Sequence, residues 1–377
     1  MFFNSGEKTI NMRILHLIKN FDFGGAENHV RELANSQEEL GHNVFIIAGR
    51  GRQEFWVNKG VRFISLPMRD SLIPVLIPVI CYLSIKNRVQ VIHAHQRLPI
   101  FLACIIGKIT GVPVVVTVHG RTRYDLRSRI SRKYCTKIIF VSRYVLQVSA
   151  RYEEIKHKSI IIPNWVAISN NQSDKDPHSI SYISRIDKNH TTIILLMIQK
   201  VLFPLVSKFP DIKINIIGDG VFLPEIREEA KRLNTRVKRE ACIIYAFAPD
   251  VKRIIHGSEL ILGVGRVALE ALACGVPVLS INQKRMGTII STDNYPFYRD
   301  NNFVAVGYPA PDENSLINQI DEFFTDLKYW QKEASLLKGY INEDFNPRKM
   351  TDSIELLYDE TIKSRKNIML PVLESGN

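Results

Sequence analysis

The sequence predicts an α/β chain made of two halves, each a largely parallel sheet covered by helices on both faces. Three observations carry that expectation. Short β-branched runs alternate with helical segments, a polar stretch interrupts the alternation near the middle, and the same alternation then resumes. With 377 residues, the chain has room for two domains at roughly 100–200 residues each.

In the first half the predicted strands are Arg13–Ile18, Asn43–Ala48, Arg62–Leu66, Val89–His93, Val112–Val118, Lys137–Val141 and Ser159–Ile162. Helical patterns lie between several of them, at Glu27–Gly41, Pro99–Thr110 and Arg143–Arg151. Leu72–Ile85 is apolar but too short to span a bilayer and contains Pro74 and Pro78, so it reads as a buried or interfacial helix preceded by a loop. Residues 169–179 (SNNQSDKDPHS) are nearly free of apolar side chains and read as a linker. Beyond them, strands are predicted at Ile180–Ile183, Ile212–Gly218, Cys242–Ala246, Leu260–Leu262 and Val276–Ser280. Helices are predicted at Thr191–Phe209, Phe222–Leu233, Ala248–His256, Val267–Cys274 and Glu313–Thr325. The domains are therefore set at residues 1–168 and 180–345, with 346–377 a terminal helix, opened by Pro347, and a tail.

Composition narrows the class. At 45% hydrophobic and 23% charged, the chain is neither disordered nor fibrous. Its 5 cysteines (Cys81, Cys104, Cys135, Cys242, Cys274) are scattered and form no C-x-x-C pair. That argues against a disulfide framework or a cysteine zinc site and suits a reducing compartment. Residues 1–11 do not read as a signal peptide, so a cytoplasmic location is expected, at the inner face of the cytoplasmic membrane. The net charge of +12 is one-sided. Residues 1–168 carry 24 Lys and Arg against 11 Asp and Glu, whereas residues 169–377 carry 26 against 27. A basic half suits anionic lipid, a pyrophosphate-bearing acceptor or nucleic acid. Without a zinc finger, RNP motif or basic–aromatic interleaving, nucleic acid is not expected as a partner.

Ligands of open α/β sheets sit at the carboxyl ends of strands, and four loops there are informative. Phe23-Gly24-Gly25-Ala26-Glu27 follows the first strand, and its glycines would let backbone pass close to a ligand at a helix N-terminus, or simply make a tight turn. His119 closes Val116-Thr117-Val118-His119-Gly120. Arg185 and Lys188, in Ser184-Arg185-Ile186-Asp187-Lys188, put two cations at a strand end, which suits a diphosphate or is simply a solvated loop. Gly263-Val264-Gly265-Arg266 turns into a short helix carrying Glu270, where helix amides could meet a phosphate and the carboxylate could accept ribose hydroxyls. Neither half carries G-x-G-x-x-G, so a dinucleotide site is not expected.

Taken together, FGGAENHV, VIHAHQ, VVVTVHG, IFVS, IIPNW, ISRIDK, INIIGDG and VGVGRVALEALACGVPVLS resemble the family 4 retaining glycosyltransferases of the GT-B fold. The resemblance implies two Rossmann-like domains whose parallel sheets face a central cleft. It also implies transfer of a sugar from a nucleotide-diphosphate-sugar, commonly a UDP-sugar, to a glycan or lipid-linked acceptor, as in surface polysaccharide synthesis. On matching positions, Gly24 and Gly25 correspond to the loop that closes on donor and acceptor, and His119 to the histidine near the transferred sugar. Arg185 corresponds to the diphosphate arginine, and Gly218, Asp219 and Gly220 to the loop beneath the nucleoside. Gly263 and Gly265 correspond to the phosphate turn, whose Gly265 amide meets the phosphate, and Glu270 to the ribose glutamate. Two departures stand out. The first glutamate of the family's E-x7-E is replaced by Leu262, with a GxGR turn behind it as in a bacterial subgroup, so Arg266 is a candidate for phosphate or sugar contacts. The family's second phosphate cation is replaced by His190, so Lys188 is the candidate substitute.

Cations and helix amides would then stabilise the departing diphosphate. No D-x-D-like site is evident, and no metal ligand or obligatory Mg²⁺ or Mn²⁺ is expected; nor is any other cofactor. On the acceptor side, Arg121, Arg123, Arg127, Arg129, Arg132 and Lys133 are candidates for contact with an anionic membrane or a lipid pyrophosphate, or form an ordinary solvated basic helix. Two rival readings are a nucleotide-sugar epimerase, which would need acid and base carboxylates around the sugar, and a non-catalytic binding protein that keeps the fold, motivated by the absent glutamate.

Overall fold

The structure, a computed structural model, describes residues 11–22, 24–120, 122, 125–149, 151–168, 175–246, 248 and 251–374, with side chains to Arg365, Tyr152 excepted. It divides into two compact units, Met1–Trp165 with Pro347–Asn377, and Val166–Asn346.

The first unit runs β1 (Arg13–Asn20), α1 (Gly25–Glu39), β2 (Asn43–Gly49), β3 (Arg62–Ser65), α2 (Ile73–Lys86), β4 (Val91–His95), α3 (Arg97–Thr110), β5 (Val114–Val118), α4 (Leu126–Tyr134), β6 (Lys137–Phe140), α5 (Arg143–Gln147) and β7 (Ser159–Ile161). Its seven strands are all parallel, in the order β3-β2-β1-β4-β5-β6-β7. Strands β4 and β5 begin two residues later than the sequence suggests. The Val89 amide donates back to Ser84 at the end of α2, and Pro113 has no amide to offer a neighbouring strand. Side chains alternate across the sheet. Leu15, Leu17, Ile92, Ala94, Val114 and Val116 pack with α2 and α3, while Ile14, Val91, Val115 and Ile139 pack on the opposite face with Leu33 of α1.

The second unit runs β8 (Ser179–Ile183), α6 (Lys188–Leu196), α7 (Leu202–Lys208), β9 (Lys213–Ile217), α8 (Leu223–Val237), β10 (Cys242–Tyr245), α9 (Val251–Gly257), β11 (Leu260–Gly263), α10 (Arg266–Ala273), β12 (Val278–Asn282), β13 (Arg285–Ile289), α11 (Tyr295–Asp300), α12 (Glu313–Thr325) and α13 (Leu327–Asp344). Its strands lie in the order β10-β9-β8-β11-β12-β13, parallel except for β13, which pairs antiparallel with β12. The predicted helix Thr191–Phe209 is α6 and α7 joined by a π-helical turn, Met197–Val201. The run Lys188–Lys208 is long and apolar enough to cross a membrane. Its Ile193, Ile194, Met197, Ile198, Val201, Leu202 and Leu205 are nevertheless buried in this unit's core.

The chain then returns to the first unit as α14 (Pro347–Glu374). Ile354, Leu357 and Tyr358 of α14 join the cluster of Met12, Ile14, Leu33 and Trp165. His42 Nε2 lies 2.8 Å from a carboxylate oxygen of Glu355, a buried contact that fixes the helix further.

Candidate functional site

In the second unit the order of strands reverses direction at β8, which lies between β9 and β11. The loops leaving the carboxyl ends of these three neighbours carry the sequence-predicted donor residues, as expected of a topological switch point. The loop after β8 holds Arg185 and Lys188, both exposed, and neither makes an ion pair among the described residues. Asp187 between them caps α6, accepting from the amides of Asn189 at 2.9 Å and His190 at 3.1 Å. It also meets His190 Nδ1 at 2.8 Å, so the histidine at the second-cation position is turned to its own helix cap.

The loop after β9 is knitted to this one. The Ser184 amide donates to Ile217 O at 3.0 Å and the Ile186 amide to Asp219 O at 2.9 Å. Gly218 has φ +154°, and a Cβ there would lie 1.8 Å from Ser184 O; at Gly220, φ is +159° and the Cβ would lie 2.2 Å from Ile186 O. Only glycine lets the two loops touch, so these residues set the height of Arg185 above the sheet. Asp219 is exposed, and its Oδ1 accepts from the Gly220 amide at 2.8 Å.

After β11, Gly265 (φ +60°) caps α10. Its amide donates to Asn302 O at 3.0 Å. The expectation that this amide faces a phosphate is therefore corrected: the donors left at this helix end are the first-turn amides of Arg266, Val267 and Ala268. Asn302 and Phe303 both have positive φ (55° and 58°), and Ser280 Oγ donates to Phe303 O at 2.7 Å. This supporting loop carries no sequence signal beside the motif it braces. Arg266 Nε bonds Glu270 Oε1 at 2.7 Å, with both side chains mostly buried. Gly263 ends β11 beneath them.

In the first unit, Gly24 precedes α1 and accepts the Asn28 amide at 2.9 Å, and Gly25 opens the helix. First-turn Glu27 is buried and accepts from Gln96 Nε2 at 2.6 Å, joining α1 to the start of α3. Gln96 itself has φ 65°. His119 follows β5, half-buried, and lines a cavity of about 360 Å³ with Gln96, Arg97, Thr117, Ser128, Arg132 and Ile138.

Around His119 the fold assembles a cluster that motif reading missed. His16 on β1 pairs in register with His93 on β4, and His95 with Thr117 on β5. Strand alternation places these side chains on the face that α1 and α14 cover, beyond Ile14, Val91 and Val115. His29 enters from α1. His93 bonds Thr117 Oγ1 at 2.7 Å and, on its other nitrogen, the Tyr358 hydroxyl of α14. His16 Nε2 meets Gln37 Oε1 at 2.8 Å, and His95 Nδ1 lies 3.4 Å from His119 Nε2. Burial pushes His16 down to about 4, and pushes His93 and His95 well below the usual imidazole range, with the neighbouring histidines adding to the effect on these two. The two alternating histidines of V-I-H-A-H, on one face of a strand, were the available signal.

Among the described residues, the basic acceptor candidates do not form one patch. Arg127 is paired with Asp70 at 2.7 Å, and Arg132 is half-buried at the cavity. Arg129 and Lys133 are exposed, one turn apart on α4. Arg121 and Arg123 lie outside the described residues.

Residues 23–170 match the model of Glycosyltransferase Family 4. One of the subunits of human phosphatidylinositol N-acetylglucosaminyltransferase is 22% identical over 298 residues, a match covering 69% of this chain and 59% of that protein. Among solved structures, a glycosyltransferase from Rickettsia africae superposes with a TM-score of 0.71 at 18% identity, covering 94% of this chain and 99% of that one. The Anabaena protein HepE, solved with UDP and glucose, superposes at 0.70 and 16% identity, covering 93% and 100%.

Proposed function

We propose that the chain, whose residues 23–170 match the family 4 glycosyltransferase model and whose fold is GT-B, is a member of that family and moves a sugar from a UDP-sugar to a lipid-linked or glycan acceptor with retention at the anomeric carbon. One observation carries the donor side. Two exposed cations without ion-pair partners among the described residues, a glycine loop locked beneath them and a helix start followed by Glu270 all leave the carboxyl ends of three adjacent strands. In this reading Arg185 and Lys188 take the diphosphate, the first-turn amides of α10 add their partial positive charge, and Glu270 accepts the ribose hydroxyls. Charge that develops on the departing diphosphate is stabilised by groups already in place, which is where the rate gain arises. No obligatory divalent metal is proposed for this step, since the cations supply that stabilisation. His119 is assigned to the transferred sugar.

The acceptor reading draws on the cavity beside His119 and on exposed Arg129 and Lys133, which suit a phosphate-bearing lipid at the cytoplasmic membrane face. The human relative's name refers to phosphatidylinositol, and HepE was solved with UDP. A surface glycolipid or polysaccharide is the proposed product class.

Calorimetry with UDP tests the donor site. Arg185→Ala removes charge-assisted hydrogen bonds worth about 1.5–3 kcal/mol, so Kd should rise roughly ten- to hundredfold. Glu270→Ala should also weaken binding. Unchanged affinity in both variants overturns the assignment.

A further inference from the structure

We propose that His29, His95 and His119 form a binding site for a divalent transition-metal ion, Zn²⁺ above all, within the first unit. Each offers one ring nitrogen, and the three nitrogens all lie within 4.8 Å of one another. They come from three elements, α1, β4 and the turn after β5, so the sheet and its covering helix hold the trio in place. The His95 Nδ1 to His119 Nε2 separation of 3.4 Å is close to that of two imidazoles bound to one tetrahedral ion with Zn–N bonds of roughly 2.0–2.1 Å.

A second trio, His16, His93 and His95, meets the same distance criterion. It is the poorer site for two reasons. Both nitrogens of His93 are already bonded, to Tyr358 and Thr117, and one nitrogen of His16 to Gln37. All three side chains are also fully buried. By contrast His119 is half-exposed and lines the 360 Å³ cavity, which gives an ion a way in. Three imidazoles without a carboxylate select a borderline metal such as Zn²⁺ over Mg²⁺ or Ca²⁺ and leave a fourth position for water.

The site shares His119 with the transferred-sugar assignment but no residue with the proposed diphosphate and ribose groups, which lie in the second unit, so zinc binding and UDP binding are read separately. The full-length chain, stripped with chelator, is titrated with ZnCl₂ by calorimetry, and then with Co²⁺ while its visible spectrum is followed. One saturable zinc site and the intense bands of tetrahedral Co²⁺ are expected. His29→Gln and His95→Gln should each weaken zinc at least tenfold, while His16→Gln stays within twofold. His29→Gln and the wild-type cobalt spectrum decide the matter if the His95 variant does not fold. Absence of saturable binding in the wild type, octahedral cobalt, or equal losses in His16→Gln and His29→Gln would overturn the proposal. UDP affinity should be the same in every one of these variants.

Discussion

Gly218 shows how much a single position decides. Its φ of +154° and the 1.8 Å approach of a built Cβ to Ser184 O leave no room for alanine. Gly218→Ala must lift the loop bearing Arg185, an overpacking event of roughly 1–3 kcal/mol. A lower urea midpoint together with weaker UDP binding is expected; weaker stability with unchanged UDP binding would disconnect the two loops. His16 shows the same local control in electrostatics. Its ordinary value is 6.5 and burial lowers it to about 4. Between those values the unfolded chain binds a proton that the folded chain refuses, so stability is complete above pH 6.5 and is lost as pH falls through the window. The loss from this one residue amounts to about 3 kcal/mol. In metal-stripped protein, urea midpoints should drop steeply from pH 7 to pH 4.5, and less steeply in His16→Gln.

Among the elements, α14 stands out because it is last in the chain yet completes the first unit. Ile354, Leu357 and Tyr358 cover Met12, Ile14 and Leu33, and at about 1.5–3 kcal/mol for each large side chain this burial rivals the stability of a whole domain. A chain ending at Asn346 is expected to lose the cooperative melting transition of its first unit. Tyr358→Phe, which removes only the hydroxyl on His93, should cost about 0.5–1.5 kcal/mol and leave the transition cooperative. A truncated chain that melts like the full one would show that α14 adds little. Elements also differ in how visible they are from sequence. The strand Arg285–Ile289 (RMGTI) lacks a β-branched run and has Gly287 at its centre, where a Cβ would lie 2.2 Å from the Tyr298 hydroxyl. Tertiary packing on Tyr298, not propensity, makes it a strand. The helices Tyr295–Asp300 and Leu327–Asp344 are likewise faint in the sequence, the first being only 6 residues long with Pro296 in its first turn, and the second leaving Tyr329, Leu336 and Tyr340 exposed and so blurring its apolar stripe.

For the molecule as a whole, the two units have separate cores. Because the proposed phosphate and ribose contacts all lie in Val166–Asn346, saturating UDP should raise that unit's unfolding transition, by about 2.7 kcal/mol at a hundred times Kd. The other unit's transition should stay where it is. Differential scanning calorimetry with and without UDP reads this directly, and a shift confined to the first unit would refute the donor assignment. The excess positive charge lies in residues 1–168. Co-sedimentation with vesicles containing anionic lipid should therefore fall as salt rises, and should weaken when Arg129 and Lys133 are both changed to Glu.

The sequence by itself determined the architecture and where the proposed donor motifs fall along the chain, because both are written in local chemistry. Alternating β-branched runs declare buried parallel strands, and Arg185, Gly218, Gly265 and Glu270 sit within a few residues of the strand ends that position them. Only the tertiary structure decided which groups meet. His16, His29, His93, His95 and His119 come from four separate stretches of chain, and strand register and α1 bring their rings together at distances no spacing rule encodes. The Gly265 amide is taken by Asn302, far along the chain, and Arg127 is paired with Asp70. Short-range patterns survive in one dimension because backbone geometry fixes them, whereas partners distant in sequence are chosen by packing.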